Sequence, residues 1–464
     1  MTKVAIRGHR HVSPLLTAAV LACLICGAFA GTAAATRGVT WMHSYHAPGT
    51  PSRYDRVGVV KTGRPSARNV LVLEPGTSAG GGYFLPLARW IVSRAPNWQV
   101  WSVERRENLL EDQSMLNRAK EGKATANQLF GYYLGHLTDP SIKHHIVPVP
   151  DSRVGFARQW GLNVAIQDLH TVIRAARQLH GKVVLGGHSL GGSVVTAYAT
   201  WNFGGKPGAD QLAGLVYDDG GSFAAPESAA AASAALQTLG ASTPWLAFSG
   251  VPAPYLGLYS AVGSTVALLA PNQPSLTATF APTPASLKPP VPATNLATFG
   301  FDTDTKTSKL VFAAQAHLGA LDTSVSPARW KRDGAISPVT RYAGMLSGAG
   351  VINVDGTEWY FPQRLTDDTA AIGGGNANPA QRVLNVHATM GHRLPRRLRI
   401  YAFGAYGGAA ITGAARTLAR QSRIPASHLT LVNRQGSYAH NDPAAAYPKN
   451  AFFNNLMPFL ARLG

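Results

Sequence analysis

The sequence predicts an α/β protein built on a doubly wound, mostly parallel β-sheet, and three observations support this prediction. Apolar strand patterns alternate with amphipathic helix patterns between residues 57 and 221. A glycine-rich turn at residues 187–191 (GHSLG) joins one of these strands directly to a helix. The alternation stops after Gly221 and resumes at Leu398. Strands that alternate with helices in this way form parallel sheets with right-handed crossovers.

The individual elements follow from hydrophobic periodicity and from turn residues. The predicted strands cover residues 57–60, 69–73, 98–103, 182–185, 212–217, 398–403 and 429–432. The predicted helices cover residues 84–92, 162–179, 194–199, 410–421 and 452–463. Residues 108–160 contain only short helix-like pieces.

Four segments are predicted along the chain of 464 residues: a signal peptide (1–35), the first part of the core (36–221), an insertion (222–395) and the second part of the core (396–464). The insertion begins with an alanine-rich run and continues into a Pro/Thr/Ala-rich stretch at 271–294. One sheet is therefore expected to be interrupted between its sixth and seventh core strands.

The N-terminus has the pattern of a secretory signal. Lys3, Arg7 and Arg10 precede an uncharged, mostly apolar run at residues 12–29, and small-x-small cleavage patterns follow at residues 28–30 and 33–35. The sequence predicts a secreted or extracytoplasmic protein on the general secretory route. A membrane anchor and a lipoprotein attached through Cys23 are the alternatives.

Both cysteines of the chain, Cys23 and Cys26, lie inside this predicted signal. The mature protein would then contain no cysteine, which excludes disulfides, thiolate metal sites and a cysteine nucleophile. The sequence has no Walker loop, no dinucleotide fingerprint and no HExxH motif, so neither a cofactor nor a metal is expected.

The chain is strongly basic, with a formal net charge of +19. Such a surplus can serve nucleic-acid binding, but the sequence has no long Lys/Arg run and no nucleic-acid fold signature. Electrostatic association with an anionic cell envelope is the expectation for an exported protein, and no nucleic-acid partner is expected. The oligomeric state is left open.

Ser189, in the centre of a G-x-S-x-G motif, is the predicted nucleophile. The motif alone is weak, but a buried strand precedes it and a helix follows at once. A sharp strand-to-helix turn holds such a serine in a strained conformation with its Oγ exposed at the sheet edge. The structural alternative is a tight turn in which the serine only caps the helix.

His440 is the predicted base, because it lies in a loop just after the last predicted strand, near the C-terminus. In a parallel sheet this loop lies at the carboxyl edge, on the same side as the serine turn. The rival histidines are His144, His145, His387 and His392. Asp442, close to His440, is interpreted as the cap of a turn.

The third member should be an acid that orients the imidazole. Residues 404–408, after the strand at 398–403, contain no carboxylate, whereas Asp218 and Asp219 end the strand before the insertion. Adjacent strand residues point to opposite faces, so one of the two at most should reach His440. Asp219 is favoured and Asp218 is second; Asp367 and Asp368 are more distant candidates.

An oxyanion hole requires two preorganised donors. The backbone N–H of Leu190, after the nucleophile, is one candidate, and the second is expected from Thr77 or Ser78 in the glycine-rich turn after the strand at 69–73. The alternative is that this turn only permits close packing.

These residues together resemble the α/β-hydrolase superfamily over residues 36–221 and 396–464, with the nucleophile elbow at 187–191 as the specific feature. Pro75 stands where a histidine is frequent in the family, and the acid after the seventh strand is missing. Some members carry that acid after the sixth strand, as Asp218 and Asp219 would. The insertion at 222–395 occupies the position of the family's cap domains.

The resemblance implies a serine hydrolase with a catalytic triad that transfers an acyl group to water without a cofactor. An insertion rich in apolar residues suggests an apolar pocket, and hence a small-molecule or lipid-like carboxylic ester as substrate. A peptidase or an acyltransferase of the same fold, and a secreted binding protein without turnover, are the alternatives.

Overall fold

The computed structural model describes residues 36–222, 225–248, 250–309 and 314–464, so the predicted signal peptide lies outside the described residues. A single large sheet contains β1 (Thr36–His43), β2 (Arg56–Thr62), β3 (Asn69–Glu74), β4 (Trp98–Glu104), β5 (Val183–His188), β6 (Gly214–Asp218), β7 (Arg399–Gly404) and β8 (Leu429–Asn433). Their order across the sheet is β1-β2-β4-β3-β5-β6-β7-β8. β2 runs antiparallel to both neighbours, and all the other pairs are parallel. The predicted mostly parallel sheet is confirmed.

The predicted strands all occur, with shifted ends, and one strand of the large sheet was not predicted. β1 pairs antiparallel with β2 at the sheet edge. Its sequence, TRGVTWMH, mixes polar and small residues and lacks the apolar run of a central strand. β5 continues three residues beyond the predicted Leu185, because Gly187 pairs with Glu74 of β3 and His188 pairs with Asp218 of β6.

Helices connect the strands and cover both faces of the sheet. In chain order they are α1 (Leu85–Arg94), α2 (Ser114–Lys120), α3 (Ala126–Tyr133), α4 (Leu162–Arg177), α5 (Leu190–Thr200), α6 (Ala229–Ala241), α7 (Ala253–Leu269), α8 (Leu276–Thr279), α9 (Asn295–Thr303), α10 (Val339–Leu346), α11 (Gln363–Thr369), α12 (Pro379–Leu384), α13 (Gly408–Gln421), α14 (Asp442–Ala445) and α15 (Ala451–Ala461). Among the described helices, none is long and apolar enough to cross a membrane.

The core lies on both faces of the sheet, because successive strand residues point to opposite sides. One face packs against α4, α5 and α13, and its strand residues are Val70, Val72, Val183, Leu185, Leu215, Tyr217, Ile400 and Ala402. The other face packs against α1, α10 and α15, and its strand residues are Leu71, Leu73, Val100, Val184, Val216, Tyr401 and Phe403. This three-layer arrangement is that of a doubly wound sheet.

The segment between β6 and β7 contributes side chains to both of these core clusters. Phe361, Leu365 and Ile372 pack on the α4 side, and Phe299, Val339 and Tyr342 pack on the α15 side. The segment contains α6 to α12 and two short hairpins, Ala247–Phe248 with Val251–Pro252 and Ala320–Asp322 with Arg329–Lys331. The predicted boundaries at 221/222 and 395/396 stay a prediction.

Candidate active site

Ser189 occupies the turn between β5 and α5 with φ 55° and ψ −125°, a backbone conformation that non-glycine residues rarely adopt. Its N–H donates to the carbonyl of Asp218 (3.1 Å), and its own carbonyl accepts from Gly192 N (2.9 Å). The side chain is partly exposed, whereas all of β5 is buried. The turn therefore presents Ser189 at the carboxyl edge of the sheet.

Glycines make this turn possible through close backbone contacts. A Cβ on Gly187 would lie 2.3 Å from the carbonyl oxygen of Gly191, and one on Gly191 would lie 2.2 Å from the carbonyl oxygen of Glu74. A Cβ on Gly76 would lie 3.0 Å from Ser189 Cβ. The glycine-rich turn after β3 and the turn at Ser189 are thus in direct contact.

His440 and Asp219 form a hydrogen-bond contact at the same edge of the sheet. His440 Nδ1 lies 2.6 Å from Asp219 Oδ2, and both residues are buried. The carboxylate also accepts three backbone N–H groups from the turn after β7, at 2.7 Å (Ala405), 3.1 Å (Tyr406) and 2.9 Å (Gly407). These donors fix the carboxylate, and a carboxylate at Nδ1 leaves Nε2 of the imidazole to face a nucleophile.

Asp218, the second candidate acid, does not contact His440. As the last residue of β6 it follows the strand alternation into the buried face that carries Val216 and Tyr401. Within the described part of the chain, neither carboxyl oxygen of Asp218 has a hydrogen-bond partner. Burial, with a further contribution from Asp219, raises the pKa of Asp218 well above its usual range.

Asp219 does not follow this alternation, because it lies one residue beyond the end of β6. Its φ of 45° turns the chain away from the sheet, while its N–H donates to the carbonyl of Phe403 on β7 (2.9 Å). The register pairs His188, Asp218 and Phe403 in one row. Ser189 and Asp219 therefore each come directly after a residue of this row, His188 on β5 and Asp218 on the neighbouring β6.

The turn after β3 and the start of α5 contain the three backbone donors predicted for an oxyanion hole. Among the described residues, no protein acceptor takes the N–H groups of Thr77, Ser78 or Leu190. Leu190 begins α5, so its N–H also belongs to the positive end of the helix dipole. Ser78, with φ 51°, is held in a left-handed conformation. The turn after β3 thus offers free N–H groups beside Ser189, as an oxyanion hole requires.

The carbonyls of this turn point to a buried arginine that sequence reasoning missed as a functional residue. Arg105 donates to the carbonyls of Pro75, Gly76 (3.3 Å) and Ala79 (3.4 Å). It also pairs with Glu74 (2.8 Å) and with Glu358 (2.5 Å). Its position in the charged run 104–107 was visible in the sequence, but its partners were not.

Glu358 connects the segment between β6 and β7 to the same turn. Its N–H donates to the carbonyl of Ser78 (2.9 Å), and its carboxylate binds Arg105. Burial lowers the pKa of Arg105, but Glu358 and Glu74 outweigh burial and raise it, so the guanidinium stays charged. Burial raises the pKa of Glu358 well above its usual range, and Arg105 opposes that effect.

The rival residues have other contacts. His145 Nδ1 lies 2.8 Å from the carbonyl of Ile146, and His387 Nε2 lies 2.9 Å from Asn385 Oδ1. Asp368 binds Arg364 (2.6 Å) and accepts the N–H of Leu162 at the start of α4 (2.8 Å). Remaining rivals are His144, beside Tyr132, as well as His392 and Asp367; in the described part of the chain none of them contacts Asp219 or Ser189.

Asp442 anchors the loop that carries His440. Its carboxylate accepts the N–H groups of Ala439 (2.6 Å) and His317 (2.9 Å), and it also binds Ser337 Oγ (2.7 Å). His317 Nδ1 lies 2.5 Å from the same carboxylate, which raises the pKa of His317. Asp442 therefore ties the histidine loop to the segment between β6 and β7.

The described residues contain no group of three or more His, Cys, Asp or Glu side chains arranged to hold a metal ion. A cavity of about 450 Å³ lies between α5 and α13, where Tyr217, Gly220, Asn376 and Ile411 line it. Ser189, Asp219 and His440 do not line this cavity.

No protein-family model and no curated protein sequence matches the chain. Solved structures resemble it, among them a thermophilic esterase from Thermogutta terrifontis (TM-score 0.37, 13% identity, 92% of this chain and 98% of that chain). A soluble variant of monoglyceride lipase from Saccharomyces cerevisiae has a TM-score of 0.38 (9% identity, 94% and 97%). An alpha/beta hydrolase fold protein from Nakamurella multipartita has a TM-score of 0.39 (12% identity, 92% and 100%).

The fold follows from the topology of the chain itself. The sheet is mostly parallel and covered on both faces, a strained serine turn joins β5 to α5, and serine, acid and histidine occur in that order along the chain. The chain therefore has the α/β-hydrolase fold.

Proposed function

We propose that this protein is a secreted serine hydrolase that cleaves a carboxylic ester with a hydrophobic moiety through an acyl-enzyme on Ser189. The observation that carries the proposal is the His440–Asp219 contact of 2.6 Å, at the edge where β5 delivers Ser189 in a strained turn. The unengaged N–H groups of Leu190 and of the turn after β3 supply the second requirement, donors for an oxyanion.

The proposed reaction proceeds in two acyl transfers. Ser189 Oγ attacks the ester carbonyl carbon while His440 takes the hydroxyl proton, and the carbonyl oxygen becomes an oxyanion bound by the backbone donors. The tetrahedral intermediate collapses, the bond to the alcohol oxygen breaks, and His440 returns the proton to that oxygen. Water then repeats the sequence on the acyl-enzyme, with His440 again as the base, and releases the carboxylic acid. Asp219 keeps the imidazole oriented and stabilises its charged form.

The preference for a hydrophobic ester rests on the segment between β6 and β7. This segment contains the apolar helix α7. α7 packs closely against Trp359, because a Cβ on Gly257 would lie 2.9 Å from the Cα of Trp359. Trp359 directly follows Glu358, whose N–H binds the turn after β3. Apolar structure thus lies beside the proposed oxyanion hole, where a substrate acyl or alcohol group would bind.

A fluorophosphonate probe tests the nucleophile, because it reacts with activated serines. The purified mature protein should form one adduct on Ser189, located by mass spectrometry, and Ser189→Ala and His440→Ala should lose it. Ser193→Ala is the matched control, since Ser193 lies in the first turns of α5, close to Ser189 in sequence, and its hydroxyl donates to the carbonyl of Gly221 (3.0 Å). No adduct on folded protein would reject the proposal and favour a binding protein without turnover.

A substrate panel then separates the enzymatic alternatives. Esters with acyl chains of increasing length should be hydrolysed faster than the corresponding amides, and added alcohol should leave the carboxylic acid as the main product. Preferred cleavage of amides would indicate a peptidase, and preferred transfer to alcohol an acyltransferase. Export is tested separately: the N-terminus of the protein recovered outside the cytoplasm should begin after residue 30 or 35.

A further inference from the structure

The histidine that precedes the proposed nucleophile joins three parts of the site. His188 is the last residue of β5, and its ring is buried. It stacks on the ring of Tyr83, with centroids 4.9 Å apart and an interplanar angle of 26°. The centroid of the His440 ring lies 4.4 Å from that of the His188 ring. One side chain therefore contacts the turn before α1 and the loop of the proposed base.

Hydrogen bonds reinforce this packing. His188 Nε2 lies 3.0 Å from the backbone carbonyl oxygen of His440 and 3.3 Å from the hydroxyl of Tyr83. A carbonyl oxygen only accepts, so His188 Nε2 carries the proton and donates. The hydroxyl of Tyr83 donates in turn to Asn441 Oδ1 (2.8 Å). Two consecutive residues of the base loop are thus held by side chains next to Ser189.

We propose that His188 and Tyr83 are positioning residues that hold the backbone of His440 at a fixed separation from Ser189 throughout acyl transfer. This inference rests on the function proposed above. It assigns to His188, the residue directly before the serine in the G-x-S-x-G motif, a role in positioning His440.

The His440–Asp219 contact alone does not fix the distance between the backbone of His440 and Ser189. A single hydrogen bond at Nδ1 orients the ring, but it does not fix the backbone from which the ring extends. The bond from His188 to the His440 carbonyl fixes the backbone at His440 itself, in addition to the Asp442 contact at Ala439. It comes from a strand paired on both sides, by Glu74–Gly187 and His188–Asp218. Sites supported by rigid elements in this way keep their geometry more accurately than sites on loops.

The ionisation state of His188 suits this role. Burial, with a further contribution from His440, lowers the pKa of His188 well below its usual range, so the ring stays neutral. A neutral ring does not repel the imidazolium that His440 becomes during catalysis, whereas a second cation 4.4 Å away would oppose its formation. The neutral ring keeps its Nε2–H, so the bond to the His440 carbonyl persists through the cycle.

The test compares variants that separate the donor from the ring. His188→Phe keeps an aromatic ring beside Tyr83 and His440 but removes the donor. We expect kcat to fall by about 10- to 100-fold with a smaller change in KM, because small displacements of a catalytic group have effects of that order. His188→Gln retains a donor in place of Nε2 and should recover part of the loss. Tyr83→Phe, which removes the hydrogen bond from Tyr83 to Asn441 Oδ1, should lower kcat less.

His170 offers the matched control. Its ring also stacks on an aromatic neighbour, Phe203 (4.2 Å), and its Nδ1 lies 3.2 Å from the hydroxyl of Tyr198, away from the site. His170→Phe should keep kcat within about twofold, as expected for removal of a hydrogen bond remote from the reaction. The acidic limb of the pH profile of kcat/KM should move in His188→Phe and stay in place in His170→Phe.

A double-mutant cycle identifies the route of the effect. If His188 acts through His440, His188→Phe should cause no further loss in a His440→Ala background. Wild-type kcat and pH profile in folded His188→Phe, or an equal fold loss in both backgrounds, would overturn the inference while leaving the proposed nucleophile intact. If His188→Phe does not fold, His188→Gln and Tyr83→Phe decide by the same criteria. Ester hydrolysis that persists in Ser189→Ala would overturn the proposed function, and this inference with it.

Discussion

At the scale of single residues, two adjacent aspartates have opposite environments because of one backbone turn. Asp218 ends β6 and points into an apolar face, whereas Asp219 lies beyond the strand with φ 45° and receives four donors. The same residue type is thus buried without a partner at one position and fully hydrogen-bonded at the next. Strand alternation and its interruption decide which carboxylate meets His440.

The two aspartates are therefore expected to respond differently to the same substitution. Asp219→Asn should lower kcat by about 10⁴-fold, because an amide at this position favours the wrong imidazole tautomer. Asp218→Asn should keep kcat close to wild type, since it replaces one buried neutral group with another of the same shape. Steady-state kinetics on the best ester substrate measures both variants, and a large loss in Asp218→Asn alone would assign the triad acid to Asp218.

Asp218 should also affect the pH dependence of stability. Its pKa is raised in the folded protein, so above the unfolded pKa of about 3.9 the unfolded chain releases a proton that the folded protein retains. Unfolding is then favoured as pH rises, by up to about 1.4 kcal/mol per pH unit until the folded pKa is reached. Asp218→Asn should remove this contribution.

Urea unfolding at pH 5, 6 and 7 provides the measurement. The wild type should lose free energy of unfolding relative to Asp218→Asn with each step up in pH. Parallel pH dependences for the two proteins would mean that Asp218 is ionised in the folded state over this range.

At the scale of elements, the turn after β3 is held in place by two charged residues that are distant in sequence, Arg105 and Glu358. Arg105 binds three carbonyls of the turn, and Glu358 binds both Arg105 and the carbonyl of Ser78. With these carbonyls engaged by Arg105 and Glu358, the turn is held beside Ser189, which Gly76 approaches closely. The geometry of the proposed oxyanion hole is therefore expected to depend on the buried contact between Arg105, which directly follows β4, and Glu358 in the segment between β6 and β7.

Arg105→Lys tests this dependence. A lysine ammonium is a point charge and cannot match the planar fork that reaches two carboxylates and three carbonyls. Complete loss of an oxyanion donor lowers kcat by about 10²- to 10³-fold. For Arg105→Lys we expect a smaller fall in kcat, about 10- to 100-fold, with little change in KM.

Arg106→Lys is the matched control for this prediction. Arg106 is equally buried and pairs with Asp168 (2.6 Å) and Asp55 (3.4 Å), but it donates to Tyr45 rather than to the turn. Both variants should lower the melting temperature, and only Arg105→Lys should lower kcat. Equal kinetic effects of the two variants would show that the ion pair acts on stability alone.

At the scale of the whole molecule, the formal net charge of +19 is independent of the site chemistry. Charge of this size predicts attraction to anionic polymers at long range, and salt should screen that attraction. Binding to an anionic cell-wall polymer should weaken steeply between low and physiological ionic strength, and Ser189→Ala should bind as the wild type does. Sedimentation of the polymer with bound protein measures this, and salt-independent binding would contradict an electrostatic origin.

The sequence by itself predicted seven strands of the large sheet and the helices beside them, and it pointed to the proposed nucleophile and base. Apolar periodicity is local, so seven strands were predicted near their observed positions. The glycines that flank Ser189 indicated a tight turn, because a Cβ at these positions would clash with the neighbouring backbone. The late position of His440 followed from chain order along a parallel sheet. β1 was missed because an edge strand need not be apolar.

Only the tertiary structure decided how these parts meet. The choice of Asp219 over Asp218 depends on a φ angle at the end of β6, which nothing in the local pattern specifies. The bond from Arg105 to Glu358 joins residues 253 positions apart, and the bond from His188 to His440 spans 252 positions. Such contacts arise from strand order and packing around a shared core, and local periodicity carries no information about either, because it records only which face of an element is buried.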